Sequence, residues 1–156
     1  MYVKTIVVSG CQRTVIVDHT RQLSLFVDAS EIAVGATLTQ CDNQGRFRPT
    51  AFASSKLTPS QQRWSTIERE AYASPWALQK YKYGTFGTRI ILYSDHSPIT
   101  FLTEATPKSS KLMCWSLALQ EFDVEFHYRC GKFNEAADCL SRMVQSKDFD
   151  NQPVSE

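Results

Sequence analysis

The run Arg89-Ile-Ile-Leu-Tyr-Ser-Asp95 limits what this chain can fold into more than any other stretch. Its apolar residues are consecutive rather than alternating, which is the pattern of a strand covered on both faces and therefore central in a sheet. It ends in an acid, Asp95. A second run, Leu23-Ser-Leu-Phe-Val-Asp-Ala-Ser30, ends the same way: Leu23, Leu25 and Val27 alternate with Ser24 and Phe26, and Asp28 stops the pattern. In open α/β sheets, ligands bind beyond the carboxyl ends of the strands. Asp28 could equally cap a turn, and Asp95 could cap a short helix opened by Ser97-Pro98.

Between these runs the sequence reads as a meander followed by a crossover. Residues 33–40 form a second strand of short side chains, Asn43-Gln-Gly45 is a turn signal, and residues 48–54 form a third strand. Leu57-Thr-Pro-Ser60 breaks the pattern. Ser65-Thr-Ile-Glu68 is a capping box, with Ser65 at the N-cap of a helix and Glu68 reaching back to a free backbone N–H. Ile67, Ala71, Ser74, Leu78 and Tyr81 recur at helical spacing and mark its buried side. Glu68 therefore has a structural task. Glu70 has none, and it lies at the edge of the buried side, where an unpaired carboxylate is expensive; solvation on the helix flank is the alternative. Pro75 falls inside the pattern, removes the bond to the Ala71 carbonyl at a cost of about 3 kcal/mol, and predicts a kink. Tyr83-Gly84 and Gly87 end the helix. A helical crossover makes the strand ending in Asp95 parallel to the strand ending in Asp28, so both acids come to one end of the sheet.

Lys108-Ser-Ser110 begins a further helix, whose stripe of Leu112, Trp115, Leu119 and Phe122 reads as core. Lys108 and Lys111 near its start either touch phosphate or form a solvated charged end. Residues 123–128 alternate as a last strand, Gly131 turns the chain, and Asn134 caps a final helix. Glu135 suits the first turn of that helix. Asp138 lies beyond that benefit, just before Cys139-Leu140, and faces inward or nearly so. From Gln145 the composition is polar and aperiodic, as in a disordered tail. Before Asp18, the β-rich runs 3–8 and 14–17 read as a hairpin or as the remnant of an upstream domain. The expected layout is an extension over 1–17, one domain over 18–144 and a tail over 145–156.

The 156 residues suffice for one domain with a sizeable core. Lys and Arg number 17 against 16 Asp and Glu, so the domain alone has little electrostatic grip on nucleic acid. The longest apolar runs are too short for a bilayer, and the N-terminus shows no secretory-signal pattern. The five cysteines, Cys11, Cys41, Cys114, Cys130 and Cys139, are odd in number and lack CxxC spacing, as expected of reduced intracellular thiols. His127, Cys130 and Cys139 cluster in sequence but lack a fourth ligand and zinc-like spacing.

Asp28, Glu70, Asp95 and Asp138 thus gather toward one end of the fold. Carboxylates without matching cations repel one another and resist ionising together. Hard divalent cations relieve this: Mg²⁺ takes oxygen ligands and is shared with phosphates. Two such ions about 4 Å apart can activate an attacking water and stabilise a leaving oxygen. That is the chemistry of phosphodiester hydrolysis.

From Asp18 to about Met143 the chain resembles the ribonuclease H (RNase H) domain of reverse transcriptases from Ty3/gypsy-type LTR retrotransposons. The resemblance rests on Val27-Asp-Ala-Ser30, Val34-Gly-Ala-Thr-Leu-Thr-Gln40, Thr66-Ile-Glu-Arg-Glu-Ala71, Ser94-Asp-His96, the segment from Trp115 to Phe122, and Tyr128-Arg-Cys-Gly-Lys-Phe-Asn-Glu-Ala-Ala-Asp-Cys-Leu-Ser-Arg142. It implies an α/β (mixed α+β) RNase H-like fold, with a five-stranded mixed sheet in 3-2-1-4-5 order flanked by helices. It implies Mg²⁺- or Mn²⁺-dependent cleavage of the RNA strand of RNA–DNA hybrids, beside an adjoining polymerase domain of the same polyprotein. Its setting would be intracellular, in the cytoplasm or a virus-like particle. Carried over, Asp28 bridges two metal ions, Glu70 and Asp95 serve the leaving-group side, and Asp138 serves the side of the nucleophilic water. The chain departs from the family at Ser74-Pro75, where aliphatic residues are usual, and at Cys130, where proline is usual; many relatives carry a mobile histidine shortly before the last Asp, whereas here the loop is short and only His127 is nearby. A catalytically inactive tether with the same fold is the alternative reading.

Overall fold

The computed structural model describes residues 3–8, 11–95 and 109–129, with 3–8 and 11–16 described as backbone alone. The chain begins with a two-stranded antiparallel hairpin, β1 (Val3–Val8) and β2 (Cys11–Ile16), whose register runs from Val3 opposite Ile16 to Val8 opposite Cys11. Its backbone runs beside elements of the main domain.

The meander follows as β3 (Leu23–Ala29), β4 (Ala33–Cys41) and β5 (Phe47–Lys56). The β3–β4 turn is closed by Ser30, whose N–H donates to the Ala33 carbonyl at 2.8 Å while its Oγ accepts from the Ala33 N–H at 3.1 Å. At the β4–β5 turn, Asp42 accepts from the N–H groups of Gln44 and Arg46, and Gly45 supplies the positive φ of 73° that the turn requires. These bonds hold the Asp42 carboxyl down at about 2. A register shift between Leu38 and Thr39 marks a bulge against β5.

A one-turn helix α1 (Pro59–Gln62) carries a capping box of its own, Thr58 with Gln61, where the sequence reading saw only a break. The crossover is α2 (Thr66–Lys80), and α3 (Lys82–Thr85) follows it. Then come β6 (Ile90–Ser94), α4 (Ser110–Leu119), N-capped by Ser109, and β7 (Val124–Tyr128). The main sheet has the order β5-β4-β3-β6-β7, with β3, β6 and β7 mutually parallel. Counting from β3, this is the expected 3-2-1-4-5 mixed sheet. β6 is central as expected, but its burial alternates: Ile90 and Leu92 enter the core while Ile91 and Tyr93 are half-buried on the other face. The short helix at Ser97-Pro98, the final helix from Asn134 and the tail from Gln145 lie outside the described residues.

Packing is concentrated between the sheet and α2. Leu23, Leu25 and Val27 of β3 alternate into one core with Leu38, Leu78, Tyr81 and Leu92. Ala71, Ala73 and Ala77 give α2 a low profile on its sheet-facing side, and all three are buried. Ala71, Ser74, Leu78 and Tyr81 are buried as the helical spacing predicts, whereas Ile67 is 43% exposed. Ile67 sits in the first turn, before the helix is covered, so periodicity alone overextended the buried stripe. The Tyr81 hydroxyl donates to the Ala36 carbonyl at 3.4 Å, and burial raises its pKa. Leu112 and Leu119 of α4 are buried against this core, with Trp115 and Phe122 packed alongside.

Pro75 is buried inside α2 and does not end the helix. Restoring the hydrogen bond with Pro75→Ala returns about 3 kcal/mol, and losing two buried methylenes costs about 1.6 kcal/mol. A net gain of about 1.4 kcal/mol raises the thermal midpoint by about 3–6 °C. A lowered midpoint in a circular dichroism melt would show instead that the proline is built into the packing.

Candidate metal centre

Asp28 is the penultimate residue of β3, and Asp95 directly follows β6. Because the two strands are parallel and adjacent, both acids stand at one end of the sheet. Glu70 comes from the second turn of α2, which packs on β3. One carboxylate oxygen from each of the three lies within 4.8 Å of the other two. Asp28 is 5% exposed, Glu70 is 4% exposed and Asp95 is half-buried. Asp138 lies outside the described residues.

The two acids of α2 part company as the capping argument requires. Glu68 accepts from the Ser65 N–H at 3.1 Å, and its other oxygen meets the Lys111 ammonium at 3.5 Å. Glu70 turns inward to the aspartates. Lys111 is thereby paired with Glu68 and also lies 4.7 Å from the Trp64 ring centroid. Lys108 lies outside the described residues. His127 is bonded to Glu125 at 2.7 Å with its ring against Tyr93, while Cys130 and Cys139 lie outside the described residues.

Burial, followed by the charges of Asp28 and Asp95, pushes the Glu70 carboxyl up to about 9. The Ala29 N–H bond and the Arg69 charge oppose this without overcoming it. The metal-free folded protein therefore keeps a proton on Glu70 that the unfolded chain releases near 4.5. Where the folded state binds more protons, stability falls as pH rises. The contribution is fully present below about 4.5 and is lost as pH rises through about 9. Metal-free thermal midpoints should decline across this window, and Glu70→Gln should flatten the decline. A pH-independent midpoint in the unsubstituted chain would contradict the assignment.

The donor set fits Mg²⁺ or Mn²⁺: all the candidate ligands are hard carboxylate oxygens, and a divalent ion would supply positive charge against the burial and repulsion that raise Glu70. Among the described residues it is the one acidic cluster able to hold a cation.

A feature that the sequence reading missed lies next to it. Phe26 and Tyr93, each two residues before an acid, stack at 4.8 Å between centroids with 11° between planes. Phe47 meets both rings edge-on. The Arg129 guanidinium lies 5.1, 5.2 and 5.7 Å from the Phe26, Phe47 and Tyr93 centroids. The available signal was the strand alternation, which places Phe26 and Tyr93 opposite the core in register.

A sheet of this order, with carboxylates ending its adjacent parallel strands and one on the crossover helix, defines the RNase H-like class. In fold the chain is similar to RNase H1 from the halophilic archaeon Halobacterium salinarum (TM-score 0.57, 20% identity, covering 76% of this chain and 93% of that one). It is also similar in fold to the foamy viral protease-reverse transcriptase solved with an RNA/DNA hybrid (TM-score 0.56, 21% identity, 72% of this chain and 16% of that one). The chain belongs to the family described as the RNase H-like domain found in reverse transcriptase, whose family model matches residues 18–122. Its relatives are retrotransposon proteins, as the Ty3/gypsy resemblance implied. The Pol polyprotein of transposon opus from Drosophila melanogaster is 37% identical over 143 residues, which cover 88% of this chain and 14% of that protein. A transposon Tf2-3 polyprotein from Schizosaccharomyces pombe is 30% identical over 135 residues, covering 84% of this chain and 10% of that protein. The chain thus spans a small fraction of the polyproteins it matches. No helix among the described residues is long and apolar enough to cross a membrane.

Proposed function

We propose that this chain is a divalent-metal-dependent endonuclease domain that hydrolyses the RNA strand of RNA–DNA hybrids within a retroelement polyprotein. The observation that carries this reading is the convergence of Asp28, Glu70 and Asp95 from three separate elements into one buried cluster. Asp28, Glu70 and Asp95 would hold the metal ions, joined by Asp138. Asp28 would contact both ions, Glu70 and Asp95 would serve the side of the leaving oxygen, and Asp138 the side of the attacking water. Bound ions would supply charge neutralisation at the attacking and leaving oxygens of an in-line displacement. With Glu70 held protonated by burial and the neighbouring aspartates, metal binding would be proton-linked and would tighten as pH rises. Glu68 keeps the first turn of α2 capped, which holds Glu70 at the angle the cluster needs. Selection of RNA would come from contacts to the 2′-OH.

The near-neutral charge supports a supporting role for an adjoining polymerase domain in gripping substrate, in an intracellular setting. A catalytically inactive tether is the second reading. It is favoured by the acid-bearing helix itself, where Pro75 interrupts the backbone bonding and the buried Ser74 hydroxyl has no hydrogen-bond partner among the described residues. The test is cleavage of a labelled RNA–DNA hybrid with Mg²⁺, set against double-stranded RNA and a chelator control. Metal-dependent cuts confined to the RNA of the hybrid support the nuclease. A folded, metal-binding chain that leaves the hybrid intact supports the tether.

A further inference from the structure

A cavity of about 240 Å³ opens at the end of the sheet away from the acids, where β3 begins, β4 ends and β5 begins. Leu23 and Asp28 are separated by about 17 Å of strand, so the cavity and the acid cluster cannot hold the same phosphate. The polar lining of the cavity is unevenly satisfied. Its acceptors are taken. Asp18 receives the N–H and the hydroxyl of Thr20 at 3.0 and 2.6 Å and pairs with Arg21 at 3.2 Å. Asp42 receives the N–H groups of Gln44 and Arg46, both at 2.9 Å, and the Nε atoms of Arg46 and Arg48 at 3.1 and 3.0 Å. Gln40 is occupied at both ends by the backbone of Asp18. The donors are left over. Arg48 uses only its Nε, and Arg21 uses its Nε and, on the Cys41 carbonyl, its Nη1. Among the described residues, both Nη groups of Arg48, the Nη2 of Arg21 and the buried hydroxyl oxygen of Thr50 have no partner. Thr50 owes its place in the wall to the bulge in β5. Thr39 pairs with Pro49 and Leu38 with Ala51, so Thr50 is the extra residue, and a bulge re-aims such a side chain.

We propose that this cavity is an oxyanion site that takes one phosphate group, held by the remaining Nη donors of Arg21 and Arg48 and by the Thr50 hydroxyl. A guanidinium fork matches a pair of phosphate oxygens, and a bound acceptor accounts for a buried hydroxyl that is otherwise orphaned. Three guanidiniums, those of Arg21, Arg46 and Arg48, stand against the two carboxylates of Asp18 and Asp42, so the local charge favours an anion. The volume falls below the roughly 300–1,000 Å³ of pockets for drug-sized ligands, which suits a single phosphate group better than a large cofactor. That group arrives either as free phosphate or as one link of a nucleic-acid backbone. The site needs no divalent metal and stands independently of the nuclease reading.

The test titrates the full chain with inorganic phosphate, with chelator present and ionic strength held constant, and follows the amide resonances around Cys41 and Thr50 by NMR. Saturable shifts are expected in the wild type. Arg48→Gln and Thr50→Val should each weaken phosphate binding by about 10-fold or more, and the valine variant should melt no earlier than wild type because its orphaned hydroxyl is gone. Arg46→Gln removes a residue that holds Asp42 without lining the cavity, and should bind phosphate as the wild type does. An absence of saturable shifts in the wild type overturns the proposal. So does a loss in Arg46→Gln equal to that in Arg48→Gln, which would mark diffuse charge instead of a site. Should Arg48→Gln fail to fold, Thr50→Val decides: a folded valine variant with wild-type phosphate affinity overturns the site. Salt-dependent binding of an RNA–DNA hybrid, again with metal chelated, separates the two sources. For a backbone link, Arg48→Gln lowers the slope of log K against log salt by about 1; an unchanged slope assigns the site to free phosphate. A chain that binds phosphate here yet cleaves no hybrid keeps the site and removes only the nuclease reading.

Discussion

Asp28→Asn is expected to abolish Mg²⁺-dependent cleavage of an RNA–DNA hybrid, lowering the initial rate at least ~10³-fold, or about 4 kcal/mol of barrier. Asp28 stands at the junction of the cluster, on the central strand and within reach of both Glu70 and Asp95. Asparagine keeps the shape and one oxygen but removes the charge that would face the ions. The metal-free fold should survive the change and even gain stability, because one of the like charges beside Glu70 is gone. Initial rates paired with circular dichroism melts separate the two effects. A variant that cleaves at the normal rate would refute a metal-ion mechanism centred on Asp28.

Two conservative changes one half-turn apart in α2 should give opposite results. Glu70→Gln should lose cleavage by about 10²–10³-fold, since a buried ligand charge disappears. Glu68→Gln should retain near-normal rates, because glutamine still accepts from the Ser65 N–H and completes the capping box. What it forfeits is the contact with Lys111, a partly exposed pair worth roughly 0–1 kcal/mol. The same rate assay decides the matter: an inactive Glu68→Gln beside an active Glu70→Gln would reverse the assignment of the helix acid.

Where each of these two acids lies was legible in the sequence for a physical reason. A capping box is a local device, complete within Ser65–Glu68, so its geometry needs no tertiary information. Once Glu68 had that task, Glu70 stood out as a carboxylate near a buried stripe without one. Strand order was readable because a helical crossover forces a parallel pair, and an apolar run such as Ile90–Ser94 has to be central. Three features escaped. The α1 turn was hidden because Pro59 reads as a break as easily as an N1 residue. Ile67 was assigned to the core because periodicity says nothing of where along a helix the covering neighbour begins. The contact of Arg129 with Phe26, Phe47 and Tyr93 depends on which strands neighbour one another, and Phe47 joins it from β5, at the opposite edge of the sheet from β7.

The parallel pairing of β3 with β6 also has a consequence for the order of assembly during synthesis. The meander β3–β4–β5 is joined by tight turns and can form as soon as it leaves the ribosome. The partner for the open edge of β3 arrives only with Ile90, which pairs with Leu23 across 67 positions of chain. At about 5–20 residues per second that delay is roughly 3–13 s. Through this interval a strand destined for the sheet's centre presents unpaired backbone groups, the condition under which nascent chains associate wrongly. Asp95 follows β6 immediately, so the acidic cluster forms only once that edge has closed. A ribosome that stalls before Tyr93 releases a chain with two of the three clustered acids and no means of bringing a third to them.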